Sequence, residues 1–176
     1  HPAPTHYERA LGGRAVFEPA ELVRIHLCCM DALQRSDQAP RALEIGEALL
    51  QLAPDDPDVS LRVADLTFGQ GDALDAYERY RDLLNRFDAE LTGEQRFLAT
   101  YRVGESARKF RHHDEADRWL SAAAELDPSS PLPLRGRVEV RLTEHHPEAA
   151  YEAMGRLLAL EDGDDHVELL IRMGDL

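Results

Sequence analysis

Four acidic residues recur along this chain: Asp31, Asp65, Glu105 and Glu139, separated by 34, 40 and 34 residues. Carboxylates repeated at one phase form a ladder that attracts amines and guanidiniums. Apolar groups travel with them. Leu27, Leu61 and Tyr101 stand four positions before the first three acids, and Phe68 and Leu142 stand three after the second and fourth. Bases travel with them too. Arg35 follows Asp31, Arg62 precedes Asp65, Arg108 and Lys109 follow Glu105, and Arg135 precedes Glu139, each within one helical turn. Pairs at that spacing stabilise a helix by about 0.2–0.5 kcal/mol each, and they dilute the ladder's charge. The column therefore has two readings: a surface that recognises a basic partner, and a set of solvated ion pairs that a ligand must compete with.

Other reactive residues carry less. His112-His113 and His145-His146 fall at breaks between helical stretches. Imidazole is a common metal ligand, but no cysteine accompanies either pair, so they read as polar turn residues, with no metal. Cys28 and Cys29 are the only cysteines, adjacent in sequence, so no disulfide framework exists, and one of them reads as a small buried core residue. The acidic run 161–165 lacks the alternation of a calcium loop and reads as a solvated connector. No nucleophile elbow, phosphate-cradling glycine loop, His-Glu-x-x-His or Cys-x-x-Cys occurs, so the chain is expected to be no enzyme and to need no cofactor.

Composition narrows the classes further. The net charge of −14 disfavours phosphate backbones and hence nucleic acid as a partner. Aromatics are 6% and hydrophobic residues 43%, so a core must be filled with Ala, Leu and Val, as between close-packed helices. Lys109 is the only lysine, a bias that points to a GC-rich bacterial genome. No apolar run is long enough to span a membrane, and no signal peptide is visible, which together suggest a cytoplasmic protein. A removed leader would make it periplasmic or envelope-associated instead.

The elements that position these residues repeat as well. Ala42, Ala76, Ala116 and Ala150 share the 34, 40, 34 spacing. Twelve positions before them stand Met30, Ala64, Gly104 and Val138, and seven after them Leu49, Leu83, Ala123 and Leu157. Antiparallel helices approach closely where small side chains sit at the crossing, and each pair buries too little to stand alone. Helices are predicted at 19–36, 40–53, 57–70, 73–87, 93–110, 114–126, 131–144, 147–160 and 165–173, with a short candidate at 7–11. Asp56-Pro57 and Ser130-Pro131 read as caps before helix-opening prolines, and Thr92 with Gln95 as a capping box. Gly71-Asp72 reads as a turn. The six extra residues of the longer spacing fall near 88–96, where they lengthen a helix and its loop. Trp119 and Phe110 are expected to pack between the third and fourth units. The division is an N-terminal segment 1–17, four units at about 18–56, 57–90, 91–130 and 131–164, and the start of a fifth unit or a capping helix at 165–176.

This register resembles the tetratricopeptide repeat. The 34-residue period, the small residue followed twelve later by Ala, and the sequence from Ala123 to Pro128 carry the resemblance, with Gly104, Ala116 and Pro128 on the family's Gly, Ala and Pro positions. The family's Trp position holds His26, Ser60, Thr100 and Leu134, and two of the four unit-ending prolines are replaced by Asp88 and Asp162, a departure in sequence but not in phase. The resemblance implies an all-α, right-handed α-solenoid whose first helices line a concave groove, and a non-catalytic scaffold that binds a peptide or partner domain there. The groove residues would be Asp31, Asp65, Glu105, Glu139, Leu27, Leu61, Tyr101, Phe68, Arg108 and Arg135. The Lys/Arg/Asn clamp that some relatives use for a C-terminal carboxylate is absent. Two further readings are a regulatory or assembly arm of a larger protein and a processed envelope-assembly factor. An end repeat without a neighbour would expose an apolar face and favour self-association.

Overall fold

A computed structural model describes residues 19–160 and Ile171. The segment 1–17 with its short helical candidate, the acidic run 161–165 and the predicted helix 165–173 lie outside that description, apart from Ile171. Eight α-helices and no strand occur among the described residues: α1 (Pro19–Arg35), α2 (Ala39–Leu52), α3 (Pro57–Gln70), α4 (Ala73–Phe87), α5 (Gly93–Lys109), α6 (His113–Leu126), α7 (Leu132–Thr143) and α8 (Pro147–Leu158). The chain forms two compact units, His1–Asp75 and Ala76–Leu176.

In the first unit α1 packs on α2, α2 on α3, and α1 also meets α3. Cys29, Met30, Leu33, Ala42, Leu49, Val59, Val63 and Leu66 form its core. Cys29 is the buried cysteine, and Cys28 points to solvent. In the second unit α5 packs on α6, α6 on α7, α7 on α8, and α5 also meets α7. Within α1 to α3 and within α5 to α8, each helix thus touches its sequence neighbour, and the first helix of one pair touches the first helix of the next. That is how hairpins stack when none can bury its own apolar face. The periodic alanines Ala42, Ala76, Ala116 and Ala150 are all 0% exposed, as the crossing argument requires.

Glycine marks the tightest approaches. A Cβ added at Gly104 would lie 2.7 Å from Cγ of Leu120 and 3.1 Å from its backbone nitrogen, so α5 and α6 can meet only because that Cβ is missing. At Gly46 an added Cβ would lie 2.7 Å from Cγ2 of Val63 and 2.9 Å from Cε of Met30. The spacing places a small residue on the first helix of each pair and an alanine on the second. Gly46 shows a second helix using the same device.

The hairpin turns share one chemistry. Asp37, Gly71, Arg111 and His145 all have positive φ, at 57°, 87°, 67° and 58°. They repeat at the same 34, 40, 34 spacing. After three of them the next amide reaches five residues back: Gln38 to Leu33 O at 2.9 Å, His112 to Ala107 O at 3.0 Å and His146 to Arg141 O at 3.0 Å. This reversal satisfies carbonyls that the ending helix leaves without partners, and it needs a left-handed residue. Only Gly71 adopts that conformation without steric cost. Arg111→Gly is therefore expected to raise stability by about 0.5–1 kcal/mol, read by urea unfolding. The histidine pairs are not equivalent under the repeat. His145 takes the left-handed position, where the third repeat has Arg111, and His112 corresponds to His146.

Capping follows the sequence with one exception. Asp56 accepts from the amides of Asp58 and Val59 at 3.0 and 3.1 Å. Thr92 and Gln95 close the reciprocal box at 3.2 and 2.9 Å. Asp72 accepts from the Asp75 amide at 3.1 Å. Ser130, however, does not cap α7. Pro131 holds the cap position with a helical backbone and no side-chain bond, and the helix begins at Leu132. The neighbouring Asp127 instead draws in Ser129, whose hydroxyl and amide donate to it at 2.6 and 3.0 Å. The extra residues of the longer spacing extend α5 to 17 residues, against 14 in α3, with the remainder in the loop before it.

Candidate functional site

The column of acids lies on the first helix of each pair: α1 and α3 in the first unit, α5 and α7 in the second. In the first unit Asp31 and Asp65 are half-buried, as are Leu61 and Phe68. Leu27 packs against the core. The guanidinium of Arg62 lies 2.8 Å from the Asp31 carboxylate. Sequence spacing had assigned Arg62 to Asp65 on its own helix. The structure sends it across to α1, because adjacent first helices bring Asp31 within reach of the long arginine side chain. With both partners more than a third exposed, this bridge contributes about 0.2–1 kcal/mol, too little to hold Arg62 against a competing ligand.

The second unit brings four of the candidates together. Glu105 is only 8% exposed. Arg108 donates to it from Nε at 3.1 and 3.3 Å and from Nη2 at 2.8 Å, a two-pronged grip on one carboxylate. These bonds raise the guanidinium's already high pKa, and the charges of Glu139 and Tyr101 act in the same direction. Burial, then the Glu105 charge, pushes the Tyr101 phenol above its ordinary value. Tyr101 is half-buried and lies parallel to Phe97, ring centres 6.4 Å apart. Glu139 and Arg135 on α7 are exposed, and Leu142 packs against the core.

Several residues escaped the sequence reading. Gly136 is one. A Cβ there would lie 2.6 Å from Oε1 of Glu105 and 2.9 Å from Cδ1 of Leu120, so its absence makes the slot for the buried carboxylate. A glycine in mid-helix costs about 1 kcal/mol against alanine, which is itself a sign that something large comes close. Asp117 on α6 is another. Arg137 and Arg141 of α7 grip its two oxygens at 2.9 and 2.5 Å. The readable signal was two arginines one turn apart facing one acid.

Phe110, expected between the third and fourth repeats, makes its ring contacts with the second repeat and its own turn. It meets Tyr77 of α4 edge-on at 5.2 Å and the ring of His112 at 4.8 Å. The chain reverses at Arg111, and that turns the helix-ending aromatic back toward α4. Trp119 is half-buried on α6. The Tyr77 hydroxyl donates to Glu115 and holds that carboxyl below its ordinary value, and burial works against it. A carboxyl depressed in the folded state stabilises the fold above its unfolded pKa, and that contribution is lost as pH falls through the folded value. Tyr77→Phe is expected to move the Glu115 titration upward and flatten the acid limb of the stability curve, as followed by NMR and by urea unfolding across pH.

No sequence-family model matches the chain, and no curated protein matches it by sequence. Solved structures match it closely. MamA from Desulfovibrio magneticus RS-1 superposes with a TM-score of 0.74 at 18% identity, over 91% of this chain and 84% of that one. YrrB, described as a TPR protein with an unusual peptide-binding site, gives a TM-score of 0.77 at 13% identity, over 99% of this chain and 82% of that one.

The fold is that of a tetratricopeptide-repeat protein. The assembly of Cut9 with Hcn1 contains a further match, with a TM-score of 0.73 at 17% identity, covering 97% of this chain and 32% of that one. The tetratricopeptide register explains why Ala116 and Gly104 are buried while Asp31, Asp65 and Glu139 keep contact with solvent; Glu105 departs from this and is buried. Among the described residues no helix is long and apolar enough to cross a membrane, and no group of three or more His, Cys, Asp or Glu residues could hold a metal ion.

Proposed function

We propose that this chain is a non-catalytic protein–protein interaction scaffold that uses the faces of its first helices as contact surfaces. The observation that carries the reading is the composition of those faces. Half-exposed apolar and aromatic residues (Leu61, Phe68, Phe97 and Tyr101) stand beside carboxylates already bridged by arginine. Apolar area gives affinity, and charges that exchange partners give specificity. The solved relatives support it. YrrB carries a peptide-binding site, and Cut9 is held in a complex with another protein. In the first unit Asp31 and Asp65, flanked by Leu27, Leu61 and Phe68, fit a segment with basic residues, which would draw Arg62 away from Asp31.

The test begins with capture of a partner on the immobilised full chain and its identification by mass spectrometry. Its affinity is then measured by calorimetry for the wild type and for Asp65→Lys and Tyr101→Ala, one at a time. At least one substitution is expected to weaken binding by about tenfold or more with helical content unchanged. Full affinity in both variants would overturn the proposal.

A further inference from the structure

The second unit separates charge by helix. In a chain of net charge −14, α5 and α7 together carry seven Arg and Lys against three acids. The second helices α6 and α8 carry six acids against two arginines. The formal balance is four positive on the first helices and four negative on the second, but Arg137 and Arg141 are held by Asp117 and Arg96 by Asp88, so the cations open to a ligand are fewer. The best-prepared cation on the positive side is Arg108. Its Nε and Nη2 are fixed by Glu105, whose own carboxylate is locked in the slot that Gly136 leaves open. Among the described residues no hydrogen bond engages Nη1, and the Arg108 side chain is 33% exposed. A guanidinium held by a buried anchor has already lost its rotamer freedom, so a second acceptor binds at a lower entropic cost. Tyr101 lies within the field of Arg108, and its ring continues into the parallel ring of Phe97. Glu139 also bears on Arg108 and opposes an incoming acid, while Arg135, exposed one turn earlier, carries an offsetting charge.

We propose that the α5–α7 face binds an acidic peptide segment: a partner carboxylate takes Nη1 of Arg108, and an adjacent apolar or aromatic partner side chain lies on the Phe97–Tyr101 pair. This rests on the scaffold reading and names the partner's chemistry at one part of it. It also reverses, for this unit, the expectation of a basic ligand drawn from the acid column. Glu105 serves as the anchor of Arg108 rather than as a ligand contact.

The probe is a pair of fluorescein-labelled peptides of equal length, one of Glu, Phe and Ser and the other with Lys at every Glu. Anisotropy titration with the full chain reads their affinities. The acidic peptide is expected to bind at least about tenfold more tightly, to weaken as salt rises, and to lose at least about tenfold with Arg108→Gln. Arg108→Gln leaves Glu105 without its partner, so the exposed Arg135→Glu serves as a second variant. It is expected to weaken the acidic peptide at least about threefold with helicity unchanged. Tighter binding of the basic peptide, no binding of the acidic one, or indifference to both substitutions overturns the inference. If the basic peptide wins and Tyr101→Ala abolishes its binding, the inference falls and the scaffold reading stands. If neither peptide binds and Tyr101→Ala and Asp65→Lys leave every captured partner unaffected, both fall.

Discussion

Reversing the charge at Glu105 is expected to destabilise the chain by about 3 kcal/mol or more, whereas the same change at Glu139 should cost under about 0.5 kcal/mol. The two acids occupy the same phase of the repeat, yet Glu105 is 8% exposed and Glu139 lies at the surface. Glu105→Lys removes the acceptor of three Arg108 hydrogen bonds and places a like charge beside the guanidinium. The new side chain also has to fit against Gly136, where the native carboxylate oxygen sits 2.6 Å from the position of a Cβ. Glu139→Lys meets no such wall. Urea unfolding followed by circular dichroism reads both. Equal costs for the two reversals would show that the carboxylate slot does not form in solution. The same asymmetry governs binding experiments: a charge reversal that includes Glu105 confounds folding with recognition, so Asp65 is the better acid to reverse on its own.

Gly104→Val is expected to cost at least about 2 kcal/mol, and Gly155→Ala to gain about 0.5–1 kcal/mol, although both replace a helical glycine. Intrinsic propensity favours leaving glycine in each case. Space decides the sign. At Gly155 an added Cβ meets nothing within 4 Å. At Gly104 it meets Cγ and Cδ2 of Leu120 at 2.7 and 2.9 Å and the Leu120 backbone nitrogen at 3.1 Å. A side chain can rotate away, but a backbone atom moves only with its helix, so α6 must shift. Leu120 is itself 0% exposed and also lies against the Cβ position of Gly136, so displacing it disturbs a second contact. A stabilising Gly104→Val would refute the account of how α5 and α6 nest.

Much of the fold was legible because it depends on a few small residues at fixed phase. Ala42, Ala76, Ala116 and Ala150 mark one register, and α1 to α8 start and stop within two residues of the predicted helices. Asp56, Thr92 and Gln95 were readable because capping acts over three residues, within the span that a linear sequence displays. Ser130 misled because its neighbour Pro131 joins the cap in a helical conformation.

The site was less legible, because its geometry joins residues far apart in the chain. Arg62 looks local to Asp65 but reaches Asp31. Gly136 looks like a weak point in a helix, yet it makes room for a carboxylate 31 positions earlier in sequence. Nothing in a count of four acids separates the buried one from the exposed one. The hairpin turns lay between these extremes. Their left-handed residues share the period of the alanines, but only Gly71 announces the conformation by its residue type.

Hydroxyl-radical footprinting of the full chain, alone and with its captured partner, tests the central claim most directly, because it reports the solvent access of individual side chains. The account predicts that labelling falls at Leu61, Phe68, Phe97 and Tyr101 on the first helices and stays unchanged at Leu52, Leu126 and Tyr151, three of the exposed apolar residues of the second helices. Protection confined to Leu52, Leu126 and Tyr151, with Phe68 and Tyr101 labelled as in the free chain, would contradict it.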